Sequence, residues 1–250
     1  MNDFPLPHSN NIYISQYADD IGMWCSGKNL PYLQKKLQLY IYEIEKWCKK
    51  WFVKINADKT QLICFHRKKS IMPINVTLFN TKLNIVNEIK FLGVTFDAKL
   101  NWTSHIQNIE ATMFRKINIL RSLTGKNWGA KGCDMVHIYR AWALPNITYG
   151  CVAFLTVSDK GLSKIQVLQN TLIRSAFKLP RDTPIRYLHE RANIIKIREH
   201  MNYVSSTTFN RIKRHEIVQY SVGKYLQIDQ HTEHKCPLDV LRMENVLQPP

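Results

Sequence analysis

Residues 13–27 read YISQYADDIGMWCSG and set two adjacent carboxylates, Asp19 and Asp20, between two apolar runs. Upstream, Ile12, Ile14, Gln16 and Ala18 fall on one face of an extended chain and Tyr13, Ser15 and Tyr17 on the other, while Ile21 to Cys25 forms the second run. A period of two on both sides of a short acidic turn predicts a β-hairpin with the carboxylates at its tip. Asp favours turns in its own right, so an isolated Asp-Asp at a hairpin tip is most often turn chemistry alone. Here the flanking strands are apolar enough to be core, and the acidic pair stands in a basic chain. Two carboxylates facing a basic groove are what magnesium-dependent phosphoryl transfer requires.

Outward from the hairpin, Asn29 can cap a helix that has Pro31 in its first turn, and Leu33, Leu37, Tyr40, Ile41, Ile44, Trp47, Cys48 and Trp51 recur at three and four residues. The segment FVKINADKTQLICFHR then returns to a period of two, predicting a strand at Val53 and Ile55, a turn at Asn56 to Lys59, and a strand through Leu62 and Cys64. More β structure is expected from Ile74 through IKFLGVTFD, where Gly93 permits a tight bend. Beyond Asn101 the period is helical: Ile106, Ile109, Met113, Ile117, Leu120 and Leu123 make one stripe ending at Gly125. Met135 to Leu144 predicts a second helix stopped by Pro145, and Leu162, Ile165, Leu168, Leu172 and Ala176 a third; residues 184–215 add one or two more. The fold class is α+β, a mixed first part followed by an all-helical second.

The 250 residues carry 35 Lys and Arg against 19 Asp and Glu, a net charge of +16, which points to an anionic partner. No apolar run approaches the ~18 residues of a membrane span, so nucleic acid is favoured over lipid and no membrane association is expected. Between Lys160 and Arg214 there are 12 Lys and Arg and 3 Asp and Glu, so the excess is concentrated there. Six cysteines (Cys25, Cys48, Cys64, Cys133, Cys151 and Cys236) form no C-x-x-C pair and predict reduced, mostly buried thiols. With no secretory leader visible after Met1, the protein is expected inside the cell, in nucleus or cytoplasm. His231, His234 and Cys236 could be offered as a zinc cluster, but one cysteine and no nearby fourth ligand make a poor site. Trp47, Trp51 and Trp102 fall on helical stripes or at a helix start and read as core rather than base-stacking residues. The basic turn His66 to Ser70 is ordinary solvated surface unless a phosphate path runs beside it.

The order of these segments resembles a known family. YADD, then LQKKLQLYIYEIEKWCKKWFVKINADKTQLICF, then IKFLGVTFDAKLNWTSHI is similar to the C-terminal part of a non-LTR retrotransposon reverse transcriptase of the jockey-like kind. Motif C matches Tyr17 to Asp20, motif D matches Asn56, Lys59 and Thr60, and the motif E hairpin matches Phe91 to Val94. TPIRYLHERANIIKIREH, Thr183 to His200, resembles the segment such elements carry after the polymerase core. The resemblance implies a partial palm over residues 1–100, a helical thumb over 101–221 and a poorly ordered tail over 222–250. It implies RNA-directed DNA polymerisation with an RNA template, a DNA primer, dNTPs and Mg2+ in the complete enzyme.

Site roles follow residue by residue from the same resemblance. Asp19 corresponds to a ligand of two magnesium ions and Asp20 to a supporting carboxylate; Lys59 lies near the triphosphate; the backbone at Leu92 and Gly93 grips the primer. Lys164, Arg174, Lys178, Arg181, Arg186, Lys196 and Arg198 are the expected nucleic-acid contacts of the thumb. The family's motif A adds another metal-binding Asp upstream of YADD, beside the fingers and motif B. Before Asp19 the only carboxylate is Asp3, on the approach to the same strand. Seven extended residues span about 23 Å, so it cannot reach the tip. The expectation is therefore a fragment that lacks fingers and motif A and is inactive alone. Its alternatives are a non-catalytic nucleic-acid-binding module and a decayed structural remnant of the element, exposing a sheet edge and an apolar helix face.

Overall fold

A computed structural model describes residues 4–7, 12–66, 73–123 and 128–213. Contacts divide the chain into two units, residues 1–100 and 101–250. The candidate zinc ligands, the tail from 222, Asp3, Gly125 and most of the basic turn after His66 lie outside the described residues.

In the first unit, β1 (Ile12–Tyr17) and β2 (Asp20–Cys25) pair antiparallel from Ile12 opposite Cys25 to Tyr17 opposite Asp20. The register leaves only Ala18 and Asp19 to turn the chain, and Ala18 takes a left-handed φ of 52° to do so. Helix α1 (Leu30–Trp51) begins as its sequence requires: the Asn29 side chain accepts from the Tyr32 N–H at 3.1 Å, and Pro31 sits in the first turn. Its stripe divides between two patches of core. Tyr40, Ile44 and Cys48 pack with Phe4 and Ile12 beneath the hairpin, and Ile41 packs with Ile74, Val76, Leu78 and Leu83. Trp51, at the end of the stripe, has passed the edge of this core and is half exposed.

Four short strands follow β3 (Gln61–Ile63) before the last: β4 (Thr77–Leu78), β5 (Thr81–Lys82), β6 (Asn84–Val86) and β7 (Glu88–Phe91), then β8 (Val94–Asp97). β4 pairs with β5 and β7 with β8 in hairpins, while β3 pairs with β6 in parallel. The amides of α1 complete the edge of this region. Gln38 donates to the Thr77 carbonyl at 2.9 Å and accepts from its N–H at 2.8 Å, satisfying a strand backbone that has no ladder partner on that side. The strand expected at Val53 and Ile55 does not form. Phe52 ends α1 in a left-handed turn with φ 55°, and the Val53 N–H returns to the Cys48 carbonyl at 3.0 Å. That C-cap consumes the donor a ladder would need.

In the second unit the regular elements among the described residues are helices: α2 (Thr103–Ser122), α3 (Gly132–Ile138), α4 (Leu144–Thr148), α5 (Asp159–Ala176), α6 (Ile185–Ala192) and α7 (Ile197–Lys213). The α2 stripe from Ile106 to Leu120 is buried, as are Leu162, Ile165, Leu172 and Ile173 of α5. Trp102, before α2, is buried and its indole donates to Thr156 at 3.1 Å, so its expected core role holds. Leu123 lies past the last turn and is exposed.

Pro145 does not stop the helix before it. Residues Tyr139–Ala143 widen into a π-helical turn in which the Leu144 N–H reaches the Tyr139 carbonyl, and Pro145 occupies the first turn of α4, where its missing N–H leaves no bond unmade. The Trp142 carbonyl, released from the regular ladder, accepts from Lys116 at 2.6 Å and from the Asn146 amide at 2.7 Å. The cysteines also differ in one respect from expectation: Cys133 is exposed on α3, while Cys48 and Cys151 are buried and Cys25 and Cys64 partly so. No helix among the described residues is long and apolar enough to cross a membrane.

Candidate functional site

Alternation along β1 and β2 sorts the hairpin into two faces. Ile12, Ile14, Ile21, Met23 and Cys25 pack toward the α1 core. The other face carries Tyr13 stacked on Trp24 with ring centroids 5.7 Å apart, then Ser15 opposite Gly22, then Tyr17 opposite Asp20. Asp20 therefore stands on the face away from the core and Asp19 in the turn itself, both exposed to solvent.

A second hairpin touches that same face. A Cβ built on Gly22 would lie 2.9 Å from the end of the Phe91 ring, so the absence of a side chain at Gly22 makes room for Phe91. Phe91 ends β7, and the turn that follows is Leu92 at φ 45° and Gly93 at φ 82°, two consecutive left-handed residues closing β7 on β8. The structure thus joins the hairpin that carries Leu92 and Gly93 to the face of the Asp20 hairpin through the Phe91 to Gly22 contact. Sequence reading missed this contact. Its only signal was a glycine inside an otherwise apolar strand, which marks a close approach.

Lys59 is exposed, in a turn built by Asn56. The Asn56 side chain accepts from the Asp58 N–H at 3.0 Å and the Lys59 N–H at 3.2 Å, and the Thr60 hydroxyl donates to the Asn56 carbonyl at 2.8 Å. Asn56 and Thr60 therefore build the loop and leave the Lys59 amine on its surface. Burial raises the thiols of Cys25, Cys48 and Cys64 above their ordinary values, which keeps them protonated packing groups rather than nucleophiles.

Donor chemistry limits what the acidic tip can hold. Asp19 and Asp20 offer the hard oxygen ligands that magnesium prefers. Among the described residues, however, no group of three or more His, Cys, Asp or Glu is assembled. Two ions about 4 Å apart repel strongly and need more negative charge than two exposed carboxylates. The described residues fit one part of a two-metal site and not the whole.

The second unit carries the seven cations expected to meet nucleic acid. Lys164 faces Glu110 at 3.8 Å, Arg186 pairs with Glu190 at 2.8 Å, Arg198 pairs with Asp159 at 2.6 Å, and Arg174 donates to the Thr183 carbonyl at 3.1 Å. Lys178, Arg181 and Lys196 are exposed. The Thr183 to His200 segment is fastened by polar residues that sequence reading passed over. Gln166 accepts from the Ile197 N–H at 3.0 Å, Gln169 donates to the Ile195 carbonyl at 3.3 Å and to the Tyr139 hydroxyl at 3.1 Å, and His189 bridges Asn170 and the Ile194 carbonyl at 3.0 and 2.7 Å. Gln169 and Asn170 are buried in α5, where a helical stripe alone gives no reason to expect amides.

Comparison with known proteins agrees with the family resemblance. Residues 1–96 match the family described as reverse transcriptase (RNA-dependent DNA polymerase). The chain is related to the reverse transcriptases of non-LTR retrotransposons. It is 25% identical over 224 residues to the probable RNA-directed DNA polymerase from transposon BS of Drosophila melanogaster, an alignment covering 86% of this chain and 25% of that protein. It is 26% identical over 206 residues to the RNA-directed DNA polymerase from mobile element jockey of the same species, covering 82% and 22% of the two chains. The probable polymerase from transposon X-element is 23% identical over 217 residues, covering 86% and 24%. The chain thus spans about a quarter of the length of the curated relatives it matches. No solved structure matches it.

Proposed function

We propose that this chain is the C-terminal part of the polymerase region of a non-LTR retrotransposon reverse transcriptase, a partial palm followed by a helical thumb. In that reading Asp19 is a metal-binding carboxylate and Asp20 shapes the field beside it. Lys59 meets the triphosphate of a dNTP, Leu92 and Gly93 hold the primer end by their backbone, and the basic helical unit grips an RNA template paired with a DNA primer. Magnesium supplies the charge stabilisation of nucleotidyl transfer in the complete enzyme. Since two carboxylates do not complete the donor set, the remaining ligand has to come from outside the described residues, and the chain alone is expected not to extend a primer.

One observation supports the reading: Phe91, the residue before Leu92, lies against Gly22 on the hairpin face that also bears Asp20. A template–primer whose 3′-terminal nucleotide carries a photoreactive group tests it. Cross-links are expected in peptides containing Leu92 and Gly93 or Asp19 and Asp20, and Phe91→Ala should reduce them several-fold. Cross-linking confined to residues beyond 100 would overturn the assignment. The incomplete donor set also favours a second reading, a nucleic-acid-binding module without catalysis, which the same experiment supports if cross-links form but none depends on Phe91.

A further inference from the structure

We infer that the loop leaving α1 at Phe52 is a stacking platform for an unpaired nucleic-acid strand, an inference that rests on the template–primer role proposed above. The position that follows the last turn of a helix favours glycine, because the chain turns left-handed there and a Cβ crowds the neighbouring carbonyl. Here it holds a phenylalanine, at φ 55° and ψ 31°, and that residue is 97% exposed. Phe52 thus bears the strain of a left-handed backbone and gains almost no burial by it. Its neighbours extend the patch: Trp51 is half exposed, with the Lys50 amine 5.4 Å from its ring centroid, and Val53 is exposed as well. Both ends of the loop are fixed, the Val53 N–H on the Cys48 carbonyl at 3.0 Å and Ile55 back in both patches of core. The ring is therefore presented from a set backbone, and little chain freedom is lost when something covers it.

Charge decides which partner covers it. Residues 43–59 carry five lysines against three acids, and the excess falls around the ring: Lys49, Lys50 and Lys54 flank Phe52, while Glu45 and Asp58 are the nearest acids along the chain. Glu43 takes Lys46 at 2.8 Å, Glu45 accepts from the Phe79 N–H at 2.7 Å, and Asp58 is exposed in the Asn56 turn. The three lysines beside the ring also outweigh the charge of about −0.5 at the helix C-terminus. A protein covering this patch has to bring carboxylates together with apolar surface, whereas a nucleic-acid strand supplies phosphates and flat base faces at once. A duplex keeps its base faces stacked inside, so the ring finds a partner only on an unpaired strand. In a primed template that strand is the template ahead of the primer end. Since every base has a π-face, contact here tolerates any sequence.

The test measures fluorescence anisotropy of the full chain on an unstructured single-stranded RNA and on a blunt RNA–DNA duplex across a salt series. Phe52→Gly removes the ring and suits the left-handed backbone, so stability in urea should hold or rise. Binding to the single strand should weaken about tenfold and binding to the blunt duplex less than about twofold, whereas Phe52→Trp should keep both affinities. Lys49→Gln, Lys50→Gln and Lys54→Gln together should flatten the single-strand log–log salt slope by about 2, three phosphate contacts at ~0.7 each. Single-strand affinity untouched by Phe52→Gly, equal loss on both nucleic acids, or a slope unmoved by the lysine triple overturns the platform while leaving the template–primer role intact. If Phe52→Gly spares RNA binding and dissolves a dimer seen by sedimentation, the platform is overturned and Phe52 belongs to a protein contact. Failure of the unsubstituted chain to bind the duplex overturns the proposed template–primer role itself.

Discussion

The two units of this chain bury their apolar residues to very different degrees. In the helical unit Met113, Leu120, Tyr139, Ile147, Phe154, Ile165 and Leu188 are sealed from solvent, most of them at the contact of α2, α5 and the helices between them. In the first unit a single long helix supports ladders of two strands each, and Tyr17 and Trp24 of the hairpin bearing Asp19 and Asp20 remain 67% and 48% exposed. The candidate catalytic residues thus stand where packing is thinnest, on a hairpin whose outer face meets the Phe91 ring. Binding grips can be built on a closed helical core. On the proposed reading, an acidic tip that meets a primer end and a triphosphate needs open approaches, and bare strand edges suit that.

The largest effect that would sharpen this contrast is a cavity in the helical core. Phe154 is fully buried and lies edge-on to His105 with centroids 4.6 Å apart, so Phe154→Ala should cost about 3–5 kcal/mol. Urea unfolding followed by hydrogen exchange should show lost protection in residues 101–213 and little change in 12–66. Uniform loss across the chain would show that the two units unfold as one and break the comparison.

A smaller effect is expected where the first unit is tight. Gly22→Val drives two methyl groups toward the Phe91 ring and should cost about 1–3 kcal/mol, much of it recovered in the double variant with Phe91→Ala. Additive losses in that double-mutant cycle would separate the two hairpins and remove the basis for grouping Leu92 and Gly93 with the acidic tip in the proposed function.

Smallest is the response to acid, which belongs to the helical unit. Burial lowers the His105 pKa from its ordinary value, and that of the less buried His200 in the same direction. The unfolded chain then binds more protons than the native one. The stability gained from keeping these rings neutral is complete above the unfolded value, near 6.5, and declines as pH falls through it toward the lower native values. His105→Leu should flatten that decline in chemical denaturation between pH 7.5 and 5.5, and an unchanged pH dependence would assign it to other groups.

How much of this was legible beforehand depends on the range of the interaction. The hairpin, the Asn29 cap and the stripes of α1, α2 and α5 are local, and periodicity with one capping residue suffices to read them. The acidic tip was legible for the same reason, since a two-residue turn between apolar strands admits little else. Local reading failed where one hydrogen bond redirected the chain. The left-handed exit at Phe52 cancelled a strand at Val53 and Ile55, and the π-turn at Tyr139–Ala143 carried a helix through Pro145.

By itself, then, the sequence determined the class of most segments, the order of the motifs and the excess of positive charge, because these depend on residue type and spacing along the chain. Only the tertiary structure decided which groups meet. It set Gly22 against Phe91 and Gly132 against Phe177, paired β3 with β6 in parallel, and joined Arg186, Arg198 and Lys164 to acids while leaving Lys131 and Arg191 exposed at a helix junction. The physical reason is that close packing is a property of surfaces brought together from distant positions. A glycine becomes a contact, and a surface cation becomes engaged or exposed, according to what the fold places beside it.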